Sequence, residues 1–174
     1  MKRVTINGGT LVLKPGCQLY VSGVGAEALK VTSNGVIRAE GNNTLFVEDG
    51  VGLRADGYGI VNTTHSPREM QLYAKGRYTS GAKILLAKKN VSLGDFFYGV
   101  VYHDNGDVFL DRRTDWTYPD YKGALAACGT VTLKTAAWGA DLTFEYDPTL
   151  ADLPFPEGDS NTPRYRLSGW WLPQ

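Results

Sequence analysis

The side chains best suited to chemistry lie in one stretch of the chain, between residues 103 and 121. Carboxylates and aromatic rings are interspersed there, and the set of interest is Asp104, Asp107, Asp111, Trp116, Tyr118 and Tyr121. Aromatic rings can stack on the apolar C–H faces of a sugar, and carboxylates accept hydrogen bonds from its hydroxyls. These six residues are therefore the candidate carbohydrate-binding set. Two carboxylates in such a set could also serve as acid and base in glycoside cleavage.

The same stretch also has a purely structural interpretation, which the residues favour. Asp104-Asn105-Gly106-Asp107 is a typical turn sequence, and Arg112 and Arg113 can pair with nearby acids. On this interpretation residues 103–121 form a long excursion from the core. The turn offers too few ligands to predict a calcium site.

Recognisable catalytic and cofactor motifs are missing elsewhere. The chain has no Gly-x-Ser-x-Gly, His-Glu-x-x-His, phosphate-loop or Cys-x-x-Cys sequence, and it contains only two histidines. The two cysteines, Cys17 and Cys128, are either buried free thiols or one bridge. We therefore predict no enzyme activity, no catalytic residue, no metal and no cofactor.

Charge and hydropathy narrow the classes of partner. The 18 basic and 18 acidic residues balance, which argues against a nucleic-acid binder. No window approaches the ~20 apolar residues that a membrane span requires. A basic start at residues 1–9 runs directly into strand-like sequence. The protein is therefore made without a signal peptide or is part of a longer exported chain, which would place it outside the cell or on its surface.

Short apolar doublets at positions i and i+2 are the strongest structural signal. Each places two side chains on one face of a strand, because successive side chains alternate across a strand. Turn pairs such as Asn7-Gly8, Pro15-Gly16 and Asn34-Gly35 follow most of them. The doublets are Val4/Ile6, Leu11/Leu13, Leu19/Val21, Leu29/Val31, Leu45/Val47, Val51/Leu53, Met70/Leu72, Val91/Leu93, Val108/Leu110, Val131/Leu133 and Leu142/Phe144.

These strands are short and their turns frequent, which favours an all-β, single-stranded, right-handed parallel β-helix over a β-sandwich. One domain spans residues 1–174, and its Pro-rich end, residues 147–174, is expected to form an irregular capping tail. If the doublets point inward, then Val47, Leu72, Leu93 and Leu133 are buried.

From about residue 44 to residue 172 the chain resembles the β-helical C-terminal domain of PilX-like type IV pilus assembly proteins. The resemblance is carried by a strand ending in Asp-Gly, a Met-Gln-Leu-Tyr element, a Phe-Tyr-Gly-Val-Val-Tyr coil and a closing Phe-Glu-Tyr-Asp-Pro-Thr-Leu element. These motifs lie at residues 45–50, 70–73, 97–102 and 144–150. The resemblance implies surface display without enzymatic activity, and it supplies no catalytic residues. This chain departs from the family where a hydrophobic N-terminal anchor is expected.

Three hypotheses follow. The first is a non-enzymatic structural or recognition module on a cell surface or pilus, acting in adhesion or assembly with pilus proteins or polysaccharide. The second is a carbohydrate-binding or carbohydrate-cleaving β-helix. The third is a structural protein of a phage or particle, of the spike type.

Overall fold

The computed structural model describes most of the chain up to residue 153. The described residues are 3–22, 28–48, 54–57, 59–75, 83–88, 97–104, 107–112, 121–127, 129–134 and 144–153.

Fifteen strands lie in these ranges, and the only helical elements among the described residues are two 3₁₀ turns, Pro67–Glu69 and Pro148–Leu150. The strands are Val4–Asn7 (β1), Thr10–Leu13 (β2), Gln18–Ser22 (β3), Leu29–Thr32 (β4), Val36–Ala39 (β5), Asn43–Glu48 (β6), Arg54–Gly57 (β7), Gly59–Asn62 (β8), Met70–Lys75 (β9), Lys83–Lys88 (β10), Phe97–His103 (β11), Asp107–Arg112 (β12), Tyr121–Ala127 (β13), Val131–Lys134 (β14) and Phe144–Tyr146 (β15).

The strands form three sheets in which each strand pairs with the corresponding strand of the next coil. Sheet A has the order β1-β4-β7-β10-β12-β14, sheet B the order β2-β5-β8, and sheet C the order β3-β6-β9-β11-β13-β15. Every pairing between these described strands is parallel. The chain is thus a parallel β-solenoid, which confirms the predicted fold class.

Partner residues in neighbouring coils are not separated by a fixed interval. Val36 pairs with Gly59, 23 residues later, whereas Arg54 pairs with Leu85, 31 residues later. Corners and loops of different length absorb the difference while the strands stay in register. This variation explains why the sequence contains no strict short repeat.

The core lies between the sheets and includes many residues of the predicted doublets, whereas Val131 and Phe144, also in doublets, are 41% and 37% exposed. Leu29, Val31, Leu45 and Leu72 are completely buried, and Val47 is nearly so. The predicted burial of Val47 and Leu72 is therefore confirmed. Leu93 lies outside the described residues, as does the side chain of Leu133.

Two buried asparagines hold corners of the solenoid. The Asn43 amide donates to the carbonyl oxygen of Lys14 at 2.7 Å, which connects two successive coils. The Asn62 amide donates to the carbonyl oxygens of Ser66 at 2.8 Å and Tyr98 at 3.0 Å. Burying an amide is tolerated only when its hydrogen bonds are made, so these contacts account for two polar side chains in the interior.

The interior changes character after β8, where sheet B ends among the described residues. Inward-facing rings of β11, β13 and β15 stack in register, with ring centroids of Phe97 and Tyr121 at 5.3 Å and those of Tyr121 and Phe144 at 5.1 Å. The Tyr121 hydroxyl donates to the carbonyl oxygens of Gly99 and Ala124. Gly99 and Gly123 pair beside these rings, and a side chain at either position would collide with its neighbours.

Candidate functional site

The outer face of sheet C carries two rows of side chains in register. The aromatic row consists of Tyr20, Phe46, Tyr73 and Tyr102, one from each of β3, β6, β9 and β11. The polar row runs beside it and consists of Gln18, Thr44 and Gln71. These positions face outward because each aromatic residue sits between two inward-facing neighbours, as Phe46 sits between Leu45 and Val47.

The rings of the aromatic row contact one another along the solenoid. Phe46 and Tyr73 are stacked, with centroids 5.6 Å apart and planes 20° apart. Tyr73 and Tyr102 meet edge to face at 6.5 Å. Cross-strand aromatic pairs of this kind stabilise neighbouring strands, so Phe46, Tyr73 and Tyr102 help to hold three coils together.

Exposure varies along the aromatic row. Tyr20 lies in the edge strand and is 48% exposed, Phe46 and Tyr102 are partly exposed, and Tyr73 is only 7% exposed. Burial raises the pKa of Tyr73 to about 12. Its hydroxyl donates to the side-chain oxygen of Gln71 at 2.9 Å, which connects the two rows.

The two rows contain no charged residue, although charged residues lie beside them on the outer face of sheet C. Glu48 and Lys75 occupy the next outward position in register, and Lys122 pairs with Glu145 at 2.7 Å on the later strands. Lys30 occupies an outward position in sheet A, and Arg38 does so in sheet B. Beside Arg38, the carboxylate of Glu40 accepts from Lys14 at 2.8 Å and from Arg38 at 2.7 Å. These hydrogen bonds lower the pKa of Glu40, and the one from Lys14 has the larger effect.

Towards the C-terminal end, the outer face of sheet C is covered by the chain itself. Residues 147–153, here called the strap, leave β15 and pack on Val100 and Ala124 through Leu150 and, in part, Leu153. Val100 and Ala124 continue the register of the polar row. The open surface of sheet C is therefore concentrated on β3, β6 and β9.

Asp147 shapes the strap at its start. Its carboxylate accepts from the backbone N–H of Thr149 at 2.9 Å and from the Thr149 hydroxyl at 2.7 Å, which caps the 3₁₀ turn. The guanidinium of Arg68 donates to the carbonyl oxygen of Thr149.

Two carboxylates of the predicted carbohydrate-binding set lie at one corner. Asp104 and Asp107 flank the connection from β11 to β12, beside buried His103. Burial lowers the pKa of His103, and the negative charges of Asp104 and Asp107 oppose that shift. The Asp107 carboxylate also accepts from the backbone N–H of Thr130 at 2.7 Å, so it joins two coils.

Of the other four members of the set, the structure describes the backbone of Asp111 and the whole of Tyr121. Asp111 lies in β12, where its backbone pairs with Ala87 and Lys134. Trp116 and Tyr118 lie outside the described residues. Tyr121 is 0% exposed and burial raises its pKa well above the usual value, so its ring cannot stack on a ligand at the surface.

Part of the predicted excursion belongs to the solenoid. Residues 107–112 form β12 within sheet A, and Tyr121 begins β13 within sheet C. The long excursion predicted for residues 103–121 is therefore wrong for these residues, because their backbones pair with strands of the neighbouring coils. Residues 113–120 lie outside the described residues.

The aromatic row was not predicted from the sequence, although a signal for it exists. Each of its members stands between two core residues, in the triplets Leu19-Tyr20-Val21, Leu45-Phe46-Val47, Leu72-Tyr73-Ala74 and Val101-Tyr102-His103. A search for the middle residue of each doublet would have found Tyr20 and Phe46, whereas Tyr73 and Tyr102 have Ala74 and His103 as one neighbour and do not lie within a doublet.

Within the described ranges, no group of three or more His, Cys, Asp or Glu side chains is arranged to hold a metal ion. No helix among these residues is long and apolar enough to cross a membrane. No protein-family model, curated protein or solved structure matches the chain. The resemblance to PilX-like domains therefore stays a prediction.

Proposed function

We propose that this protein is a non-enzymatic recognition module displayed on a cell surface or pilus, and that the outer face of sheet C is its contact surface. The observation that carries the proposal is the uncharged aromatic row of Tyr20, Phe46, Tyr73 and Tyr102. Tyrosine offers a large contact area and a hydrogen-bonding group at small cost in side-chain entropy, and it is enriched at recognition surfaces.

The scaffold supports this role through its stiffness. Parallel strands paired from coil to coil form an extended face whose side chains keep fixed positions. Binding to such a face requires little further ordering of the protein, because its side chains already hold fixed positions. A rigid module carried at a surface can therefore act through shape alone.

The contact surface can be tested with one substitution and a matched control. We expect Tyr20→Ala, labelled with a fluorophore, to bind cells of the source organism about fivefold to tenfold more weakly than the parent protein. The control is Tyr146→Ala, because Tyr146 is 45% exposed in β15, at the opposite edge of sheet C and outside both rows. Equal binding by the two variants would contradict the proposed surface.

Surface display is tested separately, by fractionating native cells and determining the mass and N-terminal sequence of the protein in each fraction. We expect it in the envelope or sheared-pilus fraction. Recovery only from cytoplasm or from particles would reject surface display and favour a structural protein of the spike type.

A further inference from the structure

The outer face of sheet C repeats along the solenoid axis. Each of β3, β6 and β9 carries one polar residue and one ring at outward positions, in the pairs Gln18/Tyr20, Thr44/Phe46 and Gln71/Tyr73, although the Tyr73 ring is buried. Neighbouring strands in a sheet lie about 4.8 Å apart, so the same pair of residue types recurs at that interval. A repeating face of this kind is complementary to a repeating polymer.

The groups on this face also define the chemistry of the polymer. Amides and hydroxyls of the polar row can donate to and accept from alcohol groups. Rings of the aromatic row offer apolar surface beside them, most accessibly at half-exposed Tyr20. A chain of sugar units presents both kinds of group at every unit, hydroxyls together with apolar C–H surface.

The charge of this face indicates whether its polysaccharide ligand is neutral or acidic. Neither row contains a lysine or arginine that could pair with a carboxylate or sulfate group. Desolvating an acidic polymer without such partners would be unfavourable. The next outward position carries Glu48 and Lys75, which have opposite signs and are paired in register, so this part of the face has no net charge and is complementary to an uncharged polymer.

We propose that this face binds a neutral linear polysaccharide that lies along the solenoid axis, across β3, β6 and β9. The inference rests on the proposed function of the same face and names the class of its ligand. The bound chain would contact Tyr20 and Phe46 through its apolar surface and Gln18, Thr44 and Gln71 through its hydroxyls. No bond is made or broken in this interaction.

The experiment is affinity electrophoresis of the full chain in native gels that contain a soluble polysaccharide. Pullulan and a mixed-linkage β-glucan are the neutral linear probes, and alginate is the acidic linear probe. We expect retardation by at least one neutral probe and none by alginate. Tyr20→Ala should weaken that affinity about fivefold to tenfold, while Tyr146→Ala leaves it unchanged.

Variants of the polar row test the second half of the contact. Gln18→Ala removes an exposed amide from the edge strand, and we expect it to weaken binding about threefold, as for the loss of one hydrogen bond. Circular dichroism and a urea melt of each variant show whether it has kept its fold. In the aromatic row, Tyr20→Phe keeps the ring that Tyr20→Ala removes and should retain most of the affinity.

Three results would overturn the inference: retardation by alginate alone, equal retardation of Tyr20→Ala and parent protein, or no retardation by either neutral polymer. The cell-binding assay then separates this failure from failure of the proposed function. Tyr20-dependent cell binding that is lost after protease treatment of the cells would identify a protein partner. In that case the proposed contact surface would be supported, and the proposed polysaccharide ligand would be rejected.

Discussion

Sheet C has opposite arrangements at its two ends. In β3, β6 and β9 the inward residues are aliphatic, as at Leu45 and Leu72, and the rings face outward. In β11, β13 and β15 the stacked rings of Phe97, Tyr121 and Phe144 take inward positions, and Phe144, in the edge strand, is still 37% exposed. The strap packs over the smaller outward residues Val100 on β11 and Ala124 on β13.

The parity of each ring within its strand accounts for this difference. Tyr20, Phe46 and Tyr73 stand between two core residues and therefore face outward, with aliphatic side chains filling the interior beside them. Phe97, Tyr121 and Phe144 are paired in register at inward positions, so rings take part in filling the interior there. The comparison teaches that the same kind of ring serves as core or as surface according to the parity of its position in the strand.

The largest effect is expected from reversing the polarity of an inward position in the first half. Leu72→Asp would bury an unpaired carboxylate in the core, so we expect no folded protein. Gln71→Asp, one position away and facing outward, is the control and should fold. Circular dichroism and urea melts distinguish the two, and a cooperatively melting Leu72→Asp variant would show that the inward assignment is wrong.

The second expectation compares rings on the two faces. Tyr121→Ala should lower the free energy of unfolding by about 3 to 5 kcal/mol, because it leaves a cavity in the core. Tyr20→Ala removes a half-exposed ring and should cost less than about 1 kcal/mol. Urea unfolding measures both values, and similar losses would mean that the two rings contribute equally to stability.

The third expectation concerns the strap. Leu150→Ala should lower the free energy of unfolding by about 2 kcal/mol, because Leu150 is buried against Val100 and Ala124. Asp152→Ala changes an exposed residue of the same segment and serves as the control. If both variants melt like the parent protein, the strap does not stabilise the C-terminal half.

The smallest effect is a dependence of stability on pH that belongs to the second half alone. His103 faces inward and pairs with Ala74, so the corresponding position in the first half cannot titrate. Because burial lowers the pKa of His103, the unfolded chain takes up a proton there at a higher pH than the folded chain. Stability should therefore decrease as pH falls below about 6.5, the ordinary histidine value, towards the lowered pKa.

Urea midpoints at pH 7.5 and 5.5 measure this dependence. The window lies above the range in which Glu40, whose pKa is lowered, takes up its proton. His103→Gln should flatten the dependence and His65→Gln should preserve it. A dependence that persists in His103→Gln would assign it to other groups.

The fold class could be predicted from the sequence because apolar doublets and turn residues act over only a few neighbouring positions, where a sequence pattern can be read directly. The doublets missed β5, β7, β8, β10, β11 and β13. In β5 and β8 the inward positions combine Ile37 with Ala39 and Ile60 with Asn62, and neither pair is a doublet of large apolar residues. A polar residue such as Asn62 can be buried only because its amide donates to the carbonyl oxygens of Ser66 and Tyr98. Those partners are visible only in three dimensions.

The candidate site was harder to predict, for a different reason. Alternation places Tyr20 and Phe46 on an outward face, but their alignment depends on a register whose interval varies from coil to coil. Conversely, Tyr121 stands among polar residues in the sequence, yet it begins a core strand. Local composition thus indicated a surface residue where the topology requires a buried one.

The hydrogen bond from Arg68 to Thr149 has a mechanical consequence. It joins a corner just before β9 to the strap just after β15, across three strand-to-strand steps of sheet C. In a solenoid whose coils contact only their neighbours, a pulling force can peel coils away one at a time. A cross-link that spans several coils shares the load among them. Force applied to the strap should therefore be resisted at this bond, and β11, β13 and β15 should yield together.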